Sequence, residues 1–272
     1  MSELGYHLVL RLGDDRVIAP SRAMRRRIAS KFAELSRTWP ILCWKLADTH
    51  LHLLVLADAD AVTELVRRVR IWFTNALALG APLELQRRKP LSGQSHLEAT
   101  FHYVLRQDDH HGVETDRLHD ASAILDILGL RVLAPEVPLR VREHLPRLGR
   151  PALLKHLGVD ALEEASELGH LREAAAAAFG LDALGVDRLS VAARAAAILA
   201  VSTTRVAAAE VLGITPNSAT RLARVQVPPR HLRAVRLQMA LMAQKAATDG
   251  LFVREPPPAS RAATAPRGAG PG

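Results

Sequence analysis

His50 and His52 stand two apart inside an apolar run from Ala47 to Leu56. Side chains on a β-strand alternate between its faces, so both imidazoles fall on one side. Two imidazoles on one rigid strand can grip a metal ion from one direction. The competing reading is a half-buried strand with two satisfied histidines. A second segment, His96 to His111, has no Gly or Pro and repeats Leu97, Phe101, Val104 and Leu105 at helical spacing. It predicts a helix from about residue 97 to 107. Tyr103 and Gln107 are then i and i+4 on one face. His102, His110 and His111 flank them and are candidates for proton transfer or phosphate contact, set against the ordinary role of solvated loop histidines.

The elements that must position these residues follow from the pattern around them. Tyr6 to Leu12 reads as a strand, ended by Gly13-Asp14-Asp15. Pro20 and Ser21 open a helix to about Arg37, with Met24, Ile28, Phe32 and Leu35 apolar, and Trp39-Pro40 stops it. Ile41 to Ala47 is a second strand, and Asp48-Thr49 turns into the histidine strand. A helix follows over about residues 61–79, ended by Gly80-Ala81-Pro82. Residues 83–88 are a fourth strand, residues 89–93 a loop, and then the tyrosine helix begins. Strand, helix, strand, strand, helix, strand is the split βαβ, ferredoxin-like order. The expected fold class is therefore α+β. Strands one and three lie in the centre of an antiparallel sheet, both helices cover one face, and the tyrosine helix takes the other.

A His-x-His strand followed by a helix with Tyr-x-x-x-Gln and then His-His resembles the single-tyrosine HUH transposases, of both the insertion-sequence and the REP-associated types. The resemblance covers about residues 5 to 115. It implies that His50, His52 and Gln107 hold a divalent metal, Mg²⁺ or Mn²⁺, and that Tyr103 is the nucleophile. It also implies a single-stranded or hairpin DNA substrate, and a monomer or homodimer. One departure is visible: the family usually has Asn directly before the first histidine, and this chain has Asp48-Thr49-His50.

The remainder of the chain changes character. Beyond residue 116 no strand alternation is evident; apolar helical segments alternate with Pro and Gly. The expected organisation is a catalytic domain over 1–115, a helical region over 116–188, a second helical unit over 189–250 and a disordered Pro/Ala/Gly-rich tail over 251–272. Within the second unit, Gly213 ends one helix and Thr215 caps another that begins at Pro216. This is a candidate helix-turn-helix, with Asn217, Ser218, Thr220 and Arg221 placed to meet base edges. The alternative is an ordinary corner in a helical bundle.

Composition agrees with a polyanionic partner. The 272 residues carry a formal net charge of +8, 49% are hydrophobic and 4% aromatic. Arg25, Arg26, Arg67, Arg70, Arg87 and Arg88 are the candidate phosphate contacts of the first domain, with Trp72 and Phe73 nearby for stacking. The single cysteine, Cys43, excludes an intramolecular disulfide. No apolar run approaches the ~20 residues of a membrane span, and no signal peptide is evident, so a cytoplasmic, nucleoid-associated protein is expected. The expected function is metal-dependent cleavage and transfer of single-stranded DNA through a 5′-phosphotyrosine. The alternatives are a non-cutting, HUH-derived DNA-binding regulator and an unrelated metal-binding or RNA-processing enzyme on the same scaffold.

Overall fold

A computed structural model describes residues 3–77, 79–107 and 118–252. Its centre is a four-stranded antiparallel sheet of β1 (Gly5–Leu12), β2 (Ile41–Ala47), β3 (His50–Val55) and β4 (Leu83–Leu91), in the order β2-β3-β1-β4. β1 and β3 are central, each hydrogen-bonded on both sides. Their partnership sets Tyr6 opposite Val55, Val9 opposite His52 and Arg11 opposite His50. Gly5 starts β1 with φ +153°, and a Cβ there would fall 2.2 Å from the Val55 carbonyl oxygen. Only glycine allows so close an approach.

Alternation divides the sheet into two unlike faces. Leu8, Leu10, Leu42, Trp44, Leu51 and Leu53 form the dry side and are fully buried. Against it lie α1 (Arg22–Ser36) and α2 (Ala59–Leu77). Phe32 of α1 stacks on Trp44 at 5.7 Å and meets Phe73 of α2 at 6.4 Å. Ser21 caps α1 by accepting from the Met24 amide. On the other face lies α3 (Gln94–Leu105), anchored by Leu97, Phe101 and Val104. β4 runs three residues past the predicted end and includes Pro90. As an edge strand it has a side that needs no amide donor, which accommodates proline.

The chain then crosses over to β2. The Leu46 amide donates to Ala121 O at 3.1 Å, the Ala123 amide donates to Trp44 O at 2.9 Å, and Lys45 bridges to Ser122. This short pairing covers the β2 edge, where the sequence predicts helix. Short helices follow: α4 (Ile124–Ile127), α5 (Glu136–His144) and α6 (Arg150–Leu154). Then come α7 (Leu171–Ala178), α8 (Arg188–Ala200), α9 (Arg205–Leu212), α10 (Pro216–Leu222) and α11 (Pro229–Phe252). The core of the sheet unit extends beyond residue 115, taking in Ile124, Leu130, Val137 and Leu157 together with Leu237 and Leu241 of α11. A second core is built on Ala174, Ala175, Ala195, Ala196 and Ala197, and Val235 and Met239 of α11 join it. No helix among the described residues is long and apolar enough to cross a membrane. The tail over residues 253–272 lies outside the described residues.

Candidate functional site on the polar face of the sheet

The face beneath α3 carries an unusual set of side chains for a sheet interior. Register places Lys45 opposite His52 across β2 and β3, Arg11 opposite His50 across β1 and β3, and Arg87 and Lys89 opposite Val9 and His7 across β1 and β4. All lie on the face that carries both histidines of β3. His52 is 3% exposed and His7 of β1 4% exposed, whereas His50 is half-buried. His7 Nε2 lies 3.2 Å from His52 Nδ1, and the two rings stack at 5.4 Å. The Tyr103 ring stands edge-on to both, 5.7 Å from His7 and 6.1 Å from His52.

Both β3 histidines are engaged at the same nitrogen. His52 uses Nδ1 toward His7, and His50 Nδ1 lies 2.8 Å from Thr49 Oγ1. Thr49, which occupies the position where the family pattern has Asn, therefore orients the first histidine. The turn before it has Asp48 at φ +34°. With Nδ1 so engaged, ligation would proceed through Nε2 of each ring. An imidazole nitrogen sits ~2.1 Å from a bound metal, so two ring centres on one ion lie at most about 6.4 Å apart. That limit is the trans arrangement. At adjacent positions of an octahedral or tetrahedral ion the ring centres lie ~4.5–5.2 Å apart, so the observed 6.1 Å would have to close by about 1 Å for both rings to ligate side by side.

Gln107 is buried, just beyond the end of α3, and its Nε2 donates to the Tyr103 carbonyl at 2.9 Å. This bond keeps Gln107 one turn from the tyrosine although the helix ends at Leu105, two residues short of the predicted end. It also turns the amide oxygen, the ligating atom of a carboxamide, to the other side of the group. In donor type, two imidazoles and one carboxamide suit a divalent ion. Among the described residues, no group of three or more His, Cys, Asp and Glu side chains is arranged to hold a metal. Tyr103 is 41% exposed. His110 and His111 lie outside the described residues. His102 turns away, with its Nδ1 2.9 Å from His156 Nε2.

Electrostatics favour an anion on this face. Burial, reinforced by Arg87, Lys89 and His96, pushes His7 down to about 4. Lys45 is buried with its Nζ 3.0 Å from His119 Nδ1. Burial first, then Lys45, Lys245 and His156, pushes His119 well below the ordinary histidine range.

The basic residues named from sequence divide into distinct groups. Arg26 is not a surface contact: it is 3% exposed, its Nε donates to Asp120 at 3.0 Å and its Nη1 to the Leu181 and Asp182 carbonyls. The helical period turns the middle arginine of the Arg25-Arg26-Arg27 run inward, where a carboxylate neutralises it. Arg25 is half-buried and donates to the Ala19 carbonyl. Arg67, Arg70 and Arg88 line a groove of about 640 Å³ between α2 and β4, with Ile71 and Leu85 exposed in its wall. Arg67 also pairs with Glu64, and Arg88 lies over the Tyr6 ring. Arg87 is exposed on the histidine side of the same strand.

In the helical half, Gly213 takes φ +66° and ends α9, and Thr215 Oγ1 accepts from the Ser218 amide at the start of α10. Asn217 and Arg221 are exposed, while Ser218 and Thr220 are half-buried. Sequence reasoning missed His7, Lys45 and Thr49 as members of the site. A lone lysine in the apolar strand Ile41–Ala47 was a legible signal; the His7 contact depends on strand register and was not. No protein-family model, curated protein or solved structure matches this chain.

Proposed function

We propose that this protein is a single-strand DNA endonuclease and strand transferase that works through Tyr103, on a ferredoxin-like scaffold of the HUH kind. The strand order, with β1 and β3 central, supports the scaffold. One observation carries the reading: His50 and His52 are both engaged at Nδ1 on one sheet face, and the exposed Tyr103 stands against the second of them. A divalent ion at His50, His52 and Gln107 would draw electron density from a non-bridging phosphate oxygen. The Tyr103 oxygen attacks phosphorus, the bond from phosphorus to the 3′ oxygen breaks, and that oxygen takes up a proton. The tyrosine gives its proton to solvent. The resulting 5′-phosphotyrosine conserves the bond energy, so transfer to a new 3′-hydroxyl needs no nucleotide cofactor. Arg87 and Lys89 flank the site, and Arg67, Arg70 and Arg88 line a groove on the opposite side of β4, so basic groups for the strand's phosphates stand on both faces of that edge strand. The turn between α9 and α10, with Asn217 and Arg221 exposed, supports a helix-turn-helix that adds choice of site.

The test is incubation of the full chain with labelled hairpin DNA and Mn²⁺. A denaturation-resistant protein–DNA adduct is expected, lost in excess chelator and lost in Tyr103→Phe without loss of fold. Sequence-specific binding with no adduct under any metal would instead favour the non-cutting regulator.

A further inference from the structure

His7 is a buried histidine that the chemistry above does not use. It lies on β1 opposite Leu54, and its reach to His52 is a diagonal one across the β1–β3 pair. The separation of 3.2 Å between His7 Nε2 and His52 Nδ1 is that of a hydrogen bond. Between two neutral imidazoles one nitrogen must carry the proton and the other must lack it. The polarity of this bond therefore decides what His52 can do. With the proton on His52 Nδ1, its Nε2 has a lone pair for a metal. With the proton on His7 Nε2, His52 is the Nε2–H tautomer and cannot ligate through that atom.

We propose that His7 is a positioning residue: it accepts a hydrogen bond from His52 Nδ1–H, fixes the tautomer and ring orientation of His52, and so presents Nε2 to the divalent ion. The assignment of that ion, and with it the choice of tautomer, rests on the nicking function proposed above. Metal-bound histidines ordinarily donate their other N–H to a carboxylate, a carbonyl or water. A neutral imidazole in that role has a consequence here. It orients His52 without adding negative charge to the face where a phosphate must settle. His7 also meets the Tyr103 ring, 5.7 Å away, so one side chain braces both a ligand and the nucleophile. Thr49 does the corresponding work at His50 Nδ1.

The first measurement is long-range ¹⁵N–¹H NMR on the wild-type chain without metal or DNA. It should place the His52 proton on Nδ1 and the His7 proton on Nδ1. A His52 proton on Nε2 overturns the proposal. The second compares His7→Phe, which keeps a buried ring but accepts nothing, with His7→Gln, whose amide oxygen can accept. Calorimetry should show Mn²⁺ affinity about 10–100-fold weaker in His7→Phe, the loss usual for an outer partner of a ligating histidine. His7→Gln should recover most of it. With saturating metal, kcat should fall in His7→Phe while KM for DNA stays unchanged. A folded His7→Phe that binds Mn²⁺ as the wild type does, or a Gln variant no better than Phe, overturns the role. Wild-type protein that binds no Mn²⁺ and forms no adduct would refute the nicking function instead, and the NMR assignment would still decide whether His7 sets the tautomer.

Discussion

The core of the sheet unit is filled by Trp44, Phe32 and Phe73 on one face of the sheet and Phe101 on the other, all fully buried, whereas the core of the helical half is filled by alanines from Ala174 to Ala178 on α7 and from Ala193 to Ala200 on α8. Large side chains keep α1 and α2 at a distance from the sheet and hold them by contact area. Alanines let helices approach closely, and any added atom there has nowhere to go. The two halves also use their polar surfaces differently. The sheet unit buries a set of histidines and a lysine over a rigid pair of central strands. The helical half presents Asn217 and Arg221 exposed around a short turn, with Ser218 and Thr220 half-buried. In the proposed function, chemistry that needs fixed geometry would sit where backbone hydrogen bonds run on both sides, and the groups that would read a long polymer on a helix end. α11 joins the two, giving Leu237 and Leu241 to one core and Val235 and Met239 to the other.

Deleting a large group from the first core should have the largest effect. Trp44→Ala is expected to cost about 3–5 kcal/mol in denaturant unfolding. Because α11 belongs to both cores, the variant should still unfold in a single transition, with near-UV and far-UV signals coincident. Two separate transitions would break the comparison by making the halves independent.

The opposite change should damage the second core. Ala196 is fully buried on α8, so Ala196→Leu should destabilise by about 1–3 kcal/mol through overpacking. The same unfolding measurement checks it, and a neutral result would mean that the alanine packing has slack.

Acid should weaken the protein where the sheet unit meets the helices. Burial first, then His102, Arg106 and Lys45, holds His156 at about 4, against an ordinary value of 6.5. The unfolded chain therefore binds more protons between those two values, and stability falls as pH drops from 6.5 toward 4. His156→Gln should remove part of this slope, on the order of 1–2 kcal/mol by pH 4. Melting temperatures of the two proteins across that range should converge as pH falls; parallel curves would assign the acid sensitivity elsewhere.

The remaining effects, on binding and not on stability, separate the two proposed DNA surfaces. Arg221→Ala should weaken binding to a preferred duplex by about 1–3 kcal/mol and leave other sequences little changed. Arg70→Ala should weaken single-stranded DNA evenly across sequences and reduce the slope of log K against log salt by about 0.7. Titrations of both strand forms at two salt concentrations distinguish these outcomes. An Arg221 effect that is uniform across sequences would make α10 another phosphate contact.

What the sequence determined by itself was whatever depends on local geometry. Strand alternation alone sets His50 and His52 on one face. The helical period predicts Gln107 one turn from Tyr103, a neighbourhood that the Gln107 side chain keeps past the helix end by donating to the Tyr103 carbonyl. Gly213 and Thr215 mark the end of α9 and the start of α10 because each satisfies a helix terminus with its own backbone or hydroxyl. Charge counting found basic runs but could not tell Arg26, neutralised by Asp120 from a segment far along the chain, from exposed Arg70. The tertiary structure decided the rest. The pairing of residues 121–123 with β2 reads locally as helix and forms because the sheet edge offers unpaired backbone groups there. The meeting of His7 with His52 required the β1–β3 register, since two side chains distant in sequence become neighbours only once every residue of both strands is aligned. A one-residue slip of either strand would move its histidines to the apolar face, so the site is a property of that alignment as much as of the residues themselves.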